Sequence, residues 1–113
     1  MSPKQLTQEE AQGIYSVKTY ILNHLHEKFT IQQLSRKAAL GEQKFKDGFQ
    51  SLFGTNVGAF VHEARMHTAK FLLTETDKTI KKIASLVGYS TTENFLRAFK
   101  KKFGITAGSL RKS

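Results

Sequence analysis

Two stretches of this chain carry the same apolar anchors in the same order. Thr30-Ile31 leads through Leu34 and Ala38 to Phe45, Phe49, Phe53 and Gly54, and Thr79-Ile80 leads through Ile83 and Val87 to Phe95, Phe99, Phe103 and Gly104. The offset is 49 residues measured from the Thr-Ile pairs and 50 from the Phe-Gly pairs, so the second copy has one extra residue in its middle turn. Two copies are too few to stack into a solenoid. The pattern describes one supersecondary unit used twice: a short apolar-periodic segment, a break at Ala39-Leu40-Gly41 or Gly88-Tyr89-Ser90, and a longer helix with Phe at every fourth position. Helix, turn and second helix is the arrangement that lays a helix in the DNA major groove.

Every segment between and around the copies also reads as helix, so the fold class is all-α. Thr7 and Glu10 have capping-box spacing, and Ile14, Val17, Ile21 and Leu25 recur at three and four, which predicts a first helix over about Thr7 to Glu27. Thr30 and Gln33 repeat the capping box ahead of a short helix that must stop by Gly41. A helix over about Glu42 to Phe53 follows, ended by Gly54 as a left-handed cap. Asn56 then opens a long helix to about Thr74, striped by Val57, Phe60, Val61, Ala64, Phe71 and Leu72, roughly 27 Å long at ~1.5 Å per residue. The second copy gives a short helix over about Ile80 to Val87, a Ser90-x-x-Glu93 capping box, a helix to about Lys102, and a last turn capped by Thr106. The expected organisation is a disordered lead over 1–6, a first helix-turn-helix subdomain over 7–54, a linker helix over 56–74 and a second subdomain over 77–113.

Charge narrows the choice of partner. The 113 residues hold 18 Lys and Arg against 9 Asp and Glu, a net charge of +9, which favours a polyanion. Residues 77–113 hold 9 basic and 2 acidic residues, net +7, against 9 and 7, net +2, for residues 1–76. The absence of cysteine excludes zinc fingers, thiol redox chemistry and disulfides, and no apolar run is long enough to span a membrane. The expected setting is cytoplasmic, on the nucleoid. His24 and His26 are two apart and His62 and His67 five apart, so neither pair has the i, i+4 spacing of a helical zinc site, and no phosphate loop or nucleophile motif occurs. The chain is expected to be no enzyme, with no cofactor and no metal.

With Phe45, Phe49 and Phe53 turned inward, Gln43, Lys44, Asp47 and Ser51 point outward, with Lys46 and Gln50 on the flank. In the second copy Glu93, Asn94, Arg97 and Lys101 point outward, flanked by Leu96 and Lys100. These are side chains that read base edges: Arg or Lys for guanine, Asn or Gln for adenine, Asp or Glu for the cytosine amino group. Any soluble helix also turns polar residues outward, and Lys100-Lys101-Lys102 equally suits a helix C-terminus without any ligand. Duplication and charge together favour sequence-specific double-stranded DNA binding for transcription regulation. The alternatives are a nonspecific architectural nucleic-acid binder and a helical protein-interaction module, with RNA polymerase as a further candidate partner.

The ordered string Arg65-Met66-His67-Thr68-Ala69-Lys70-Phe71-Leu72-Leu73, Thr79-Ile80-Lys81-Lys82-Ile83-Ala84, Val87-Gly88-Tyr89-Ser90 and Phe95 through Thr106 resembles the DNA-binding domain of AraC-type (AraC/XylS) bacterial transcription regulators. The resemblance covers about Ile14 to Lys112. It implies about seven helices in two homeodomain-like helix-turn-helix subdomains joined by a long helix, whose second helices enter adjacent major-groove segments. It also implies base contacts at Gln43, Lys46, Asp47, Thr92, Glu93, Asn94, Leu96 and Arg97, with phosphate contacts near the helix ends. Departures from the family pattern are Gly41 in place of a Ser-type cap, Gly48 inside a helix, Asp47, and Ala107 and Leu110 in place of a proline and an aromatic. Family members commonly carry a sensing or dimerisation domain N-terminal to this one. A stand-alone regulator of about this length also exists in the family, so the resemblance allows a complete protein or an excised C-terminal domain; excision is the favoured expectation, with the isolated domain a monomer and the whole protein a dimer through the missing domain.

Overall fold

The computed structural model describes residues 5–112, and seven helices are formed among them. They are α1 (Gln8–Asn23), α2 (Ile31–Lys37), α3 (Glu42–Phe53), α4 (Val57–Glu75), α5 (Ile80–Leu86), α6 (Thr92–Phe103) and α7 (Ala107–Lys112). The chain divides into two compact units: one holds the residues up to His24 together with Lys28–Val61, the other Leu25–Glu27 together with the residues from His62 onward. Of the lead expected over 1–6, residues 1–4 lie outside the described residues.

In the first unit α1, α2 and α3 pack on one another. Ile14, Val17 and Ile21 of α1, Leu34 and Ala38 of α2, and Phe45 and Phe49 of α3 are all buried, as are Val57 and Val61 from the start of α4. The Phe49 ring meets Phe53 at 4.7 Å and Phe60 at 5.5 Å, both edge-on. Ser35 is the one buried polar residue among the described ones, and its hydroxyl donates to the Gln32 carbonyl at 3.1 Å. Gly48 faces this core. A Cβ there would lie 2.6 Å from Ile14 Cδ1, so this glycine inside α3 is what lets α1 approach it.

The second unit is built the same way. Met66, Ala69 and Leu73 of α4, Ile83 and Ala84 of α5, Val87, Phe95 and Phe99 of α6, and Ala107 form one buried cluster, with Tyr89, Phe103 and Leu110 packed against it. Here the repeat extends further than the sequence reading drew it. Ile14, Val17 and Ile21 recur 52 residues on as Met66, Ala69 and Leu73, so α1 and the later part of α4 play the same part in their units. Lys18 and Lys70 recur with them, each ammonium over the ring of the Phe that ends α3 or α6, 4.6 Å from the Phe53 centroid and 5.2 Å from that of Phe103.

Caps explain most helix boundaries. Thr7 and Thr30 form reciprocal capping boxes with Glu10 and Gln33. Thr79 accepts from the Lys82 amide at 3.0 Å, Asn56 from Ala59 at 2.8 Å, and Thr106 from Ser109 at 3.0 Å. Each such bond is worth about 1 kcal/mol. Gly54 and Gly104 end α3 and α6 at φ 73°, as left-handed caps.

Four expectations need correction. Helix α1 stops at Asn23, capped by His24 whose amide turns back to the Ile21 carbonyl, because Leu25–Glu27 belong to the other unit. His24 and His26 therefore lie beyond the helix, where His24 Nδ1 sits 2.8 Å from the Tyr20 carbonyl. The cap of α6 is Thr91, which accepts from the Asn94 amide at 3.1 Å, and not Ser90 with Glu93. In α4 the buried positions are Val57, Val61, Met66, Ala69 and Leu73, while Phe71 is 60% exposed; its apolar residues belong to two cores and follow no single stripe.

Candidate nucleic-acid interface

Each unit leaves one face of its second helix-turn-helix helix uncovered. In α3 the Phe45 and Phe49 side chains are wholly buried, while Gln43, Lys44, Lys46, Gln50 and Ser51 are exposed and Asp47 is half-buried. In α6 Phe95 and Phe99 are buried, Glu93, Asn94, Leu96, Arg97, Lys100 and Lys101 are exposed, and Thr92 is half-buried. All thirteen of these side chains, singled out from the sequence, therefore lie on these two helices, six on α3 and seven on α6. They form two separate sets, one in each unit.

Local bonds preorganise part of each set. The Gln43 amide donates to Asp47 Oδ1 at 3.0 Å, and Arg97 Nη1 donates to Asn94 Oδ1 at 3.0 Å. Both are one-turn pairs that hold the polar groups on the exposed face. Two lysines are tied back to their own unit. Lys44 Nζ lies 2.7 Å from the Glu10 carboxylate, and Lys102 pairs with Glu63, which also meets His67 Nε2 at 3.4 Å. Hydrogen bonds from Lys44 and Lys102 are the main reason that Glu10 and Glu63 are held below the usual carboxylate range. Lys100 and Lys101 make no ion pair among the described residues, so their charge is uncompensated in the last turn of α6.

The Arg65 guanidinium lies close against Gly88, in the turn before α6. Its Nε and Nη2 donate to the Leu25 carbonyl at 3.2 Å and the Glu27 carbonyl at 2.6 Å. Burial lowers the Arg65 pKa and raises that of Tyr89. Arg111 does similar work at the end of α4, donating to the Leu73 carbonyl at 3.2 Å, to Thr76 at 3.1 Å, and to Lys78. Sequence reasoning missed both arginines because their partners are backbone carbonyls 33 to 40 residues away, which leave no trace in local spacing.

No group of three or more metal-capable side chains occurs among the described residues, and no helix among them is long and apolar enough to cross a membrane. A family model described as a helix-turn-helix domain matches residues 34–113. The chain belongs to the helix-turn-helix domain family. Among curated relatives, the uncharacterized HTH-type transcriptional regulator YtdP of Bacillus subtilis is 31% identical over 100 residues, covering 85% of this chain and 13% of that protein. The probable transcriptional regulator LumQ of Photobacterium leiognathi is 31% identical over 90 residues, covering 80% of this chain and 36% of that one. This helix-turn-helix chain thus spans little more than a third, or less, of those relatives' length.

Solved structures share the architecture. The DNA-binding domain of AdpA, a global transcriptional factor solved in complex with a target DNA, matches with a TM-score of 0.82 at 24% identity, covering 88% of this chain and 90% of that one. The C-terminal domain of the two-component response regulator yesN from Fusobacterium nucleatum matches with a TM-score of 0.77 at 28% identity, covering 86% and 95%. The helix-turn-helix domain described here is accordingly similar in architecture to domains of HTH-type transcriptional regulators, those of the AraC family and related ones among them.

Proposed function

We propose that this chain is the DNA-binding domain of an AraC-type bacterial transcription regulator. It binds double-stranded DNA sequence-specifically, with α3 and α6 as two unlike reading helices that address adjacent major-groove segments. The observation that carries this reading is the repeated unit itself. Each copy buries the Phe face of one 12-residue helix and leaves the opposite face uncovered, on a chain of net charge +9. The AdpA domain, bound to its target DNA, supports the same use of a shared fold.

The roles follow from side-chain chemistry. Gln43, Lys46, Asp47, Gln50, Thr92, Glu93, Asn94, Leu96 and Arg97 address the bases, with Arg97 suited to the two acceptors of guanine. Lys44, Lys100 and Lys101 address phosphates, which add affinity and salt dependence but no sequence information. In this reading the protein works on the nucleoid with RNA polymerase as a second partner. The domain binds as a monomer, because two different reading helices already sit in one chain. Selection of bound duplexes from a random pool tests it: the expected result is a non-palindromic motif with two unlike parts. A clean inverted repeat bound by two chains, or no enriched motif at all, would overturn it.

A further inference from the structure

Leu96 is the one large apolar side chain at the edge of the uncovered face of α6. It is 36% exposed among Glu93, Asn94, Arg97, Lys100 and Lys101, and lines a shallow surface groove with Arg97, Lys100, Lys101 and Thr106. A single exposed leucine is ordinary in a soluble protein. The repeat supplies an internal control for this one. The residue at the same place in α3, 50 positions earlier, is Lys46, which is also exposed. The fold therefore accepts a lysine at this position, and packing does not require an aliphatic group there.

Resting on the DNA reading above, we infer that Leu96 is a specificity-determining residue that selects a thymine by packing against its C5 methyl. The methyl group of thymine is the apolar group that the major groove offers, and side chains that recognise it are apolar. The groove around Leu96 combines an aliphatic floor with three cationic neighbours, which suits a methyl-bearing base edge between phosphates. Arg97 is the next residue on the helix, with its guanidinium steadied by Asn94 Oδ1 at 3.0 Å. Leu96 and Arg97 are thus placed to read neighbouring base pairs, a thymine beside a guanine.

The test replaces each thymine of the best selected duplex, one at a time, with deoxyuridine, which removes only the methyl group. Dissociation constants are measured for the parent chain, Leu96→Ala and Leu96→Lys; the last installs the residue found at the equivalent place in α3, and circular dichroism checks that all three are folded. One thymine beside a guanine is expected to lose roughly fourfold in affinity on demethylation, the value of one buried methyl-sized group. Both variants should bind the thymine and deoxyuridine duplexes equally at that position, and respond like the parent elsewhere. A parent that ignores every demethylation, or a sensitivity that survives in Leu96→Ala and Leu96→Lys, would overturn the assignment while leaving the DNA reading intact. Failure to enrich any duplex would overturn both.

Discussion

Gly88→Ala should unfold the second unit far more readily than its one added methyl suggests. Gly88 has φ 91°, where an L side chain is strained by about 1–2 kcal/mol. The new Cβ would lie 2.4 Å from the Leu25 carbonyl oxygen and 2.8 Å from the Arg65 guanidinium. That carbonyl accepts the Arg65 Nε hydrogen bond, so relieving the clash means displacing backbone and breaking a charge-assisted bond worth about 1.5–3 kcal/mol. The sum is about 2.5–5 kcal/mol. The first unit provides the opposite experiment. Ala39, 49 residues earlier, holds the same turn position at φ 60° with a side chain present. Ala39→Gly removes the strain but loosens the unfolded chain, for a net gain of about 0.5–1 kcal/mol. Urea denaturation followed by circular dichroism gives the size of each change, and amide exchange across α5–α6 or α2–α3 assigns it to a unit. A Gly88→Ala protein with parental midpoint and exchange, or an Ala39→Gly protein that is destabilised, would refute the reasoning.

Gly48→Ala should fail to gain the ~1 kcal/mol of helix propensity that alanine usually brings, because its Cβ would meet Ile14 Cδ1 at 2.6 Å; the denaturation midpoint decides this. Glu10→Gln and Glu63→Gln release Lys44 and Lys102 from their carboxylates, so each should raise affinity for random duplex and steepen its salt slope by up to about one unit. Both carboxyls have lowered pKa values, so their stabilisation is present above the ordinary carboxylate pKa and lost as pH falls through the lowered one. Acid titrations of the two Gln variants should accordingly lose part of that low-pH transition. Arg97→Ala should cost about 1–3 kcal/mol on the selected duplex and relax one base pair, whereas Lys101→Ala should weaken all duplexes alike and flatten the salt slope by about one. Salt titrations on selected and random duplexes separate these two.

The sequence made the helix-turn-helix pairs legible because their signals are local. Four-residue Phe spacing, threonine caps and the glycines that end α3 and α6 all act within two turns of chain. The supporting helices were harder to read. Met66, Ala69 and Leu73 do the work of Ile14, Val17 and Ile21, but their offset of 52 differs from the 49 and 50 of the later anchors, and an alanine stands where a valine did. Gly48 stood out only as a departure from the family pattern because its value lies in a neighbour, Ile14, 34 residues away. In the candidate interface, periodicity selected the exposed faces of α3 and α6. It could not show that Lys44 is held by Glu10 or Lys102 by Glu63, since those pairs join separate helices.

Sequence-specific DNA binding is tested most directly by competition between the selected duplex and one of scrambled sequence across a range of salt concentrations. Charge alone gives both duplexes the same affinity and the same salt slope. Base reading by α3 and α6 predicts a preference on the order of a thousandfold or more that persists as salt rises. Equal affinities at every salt concentration would contradict the account.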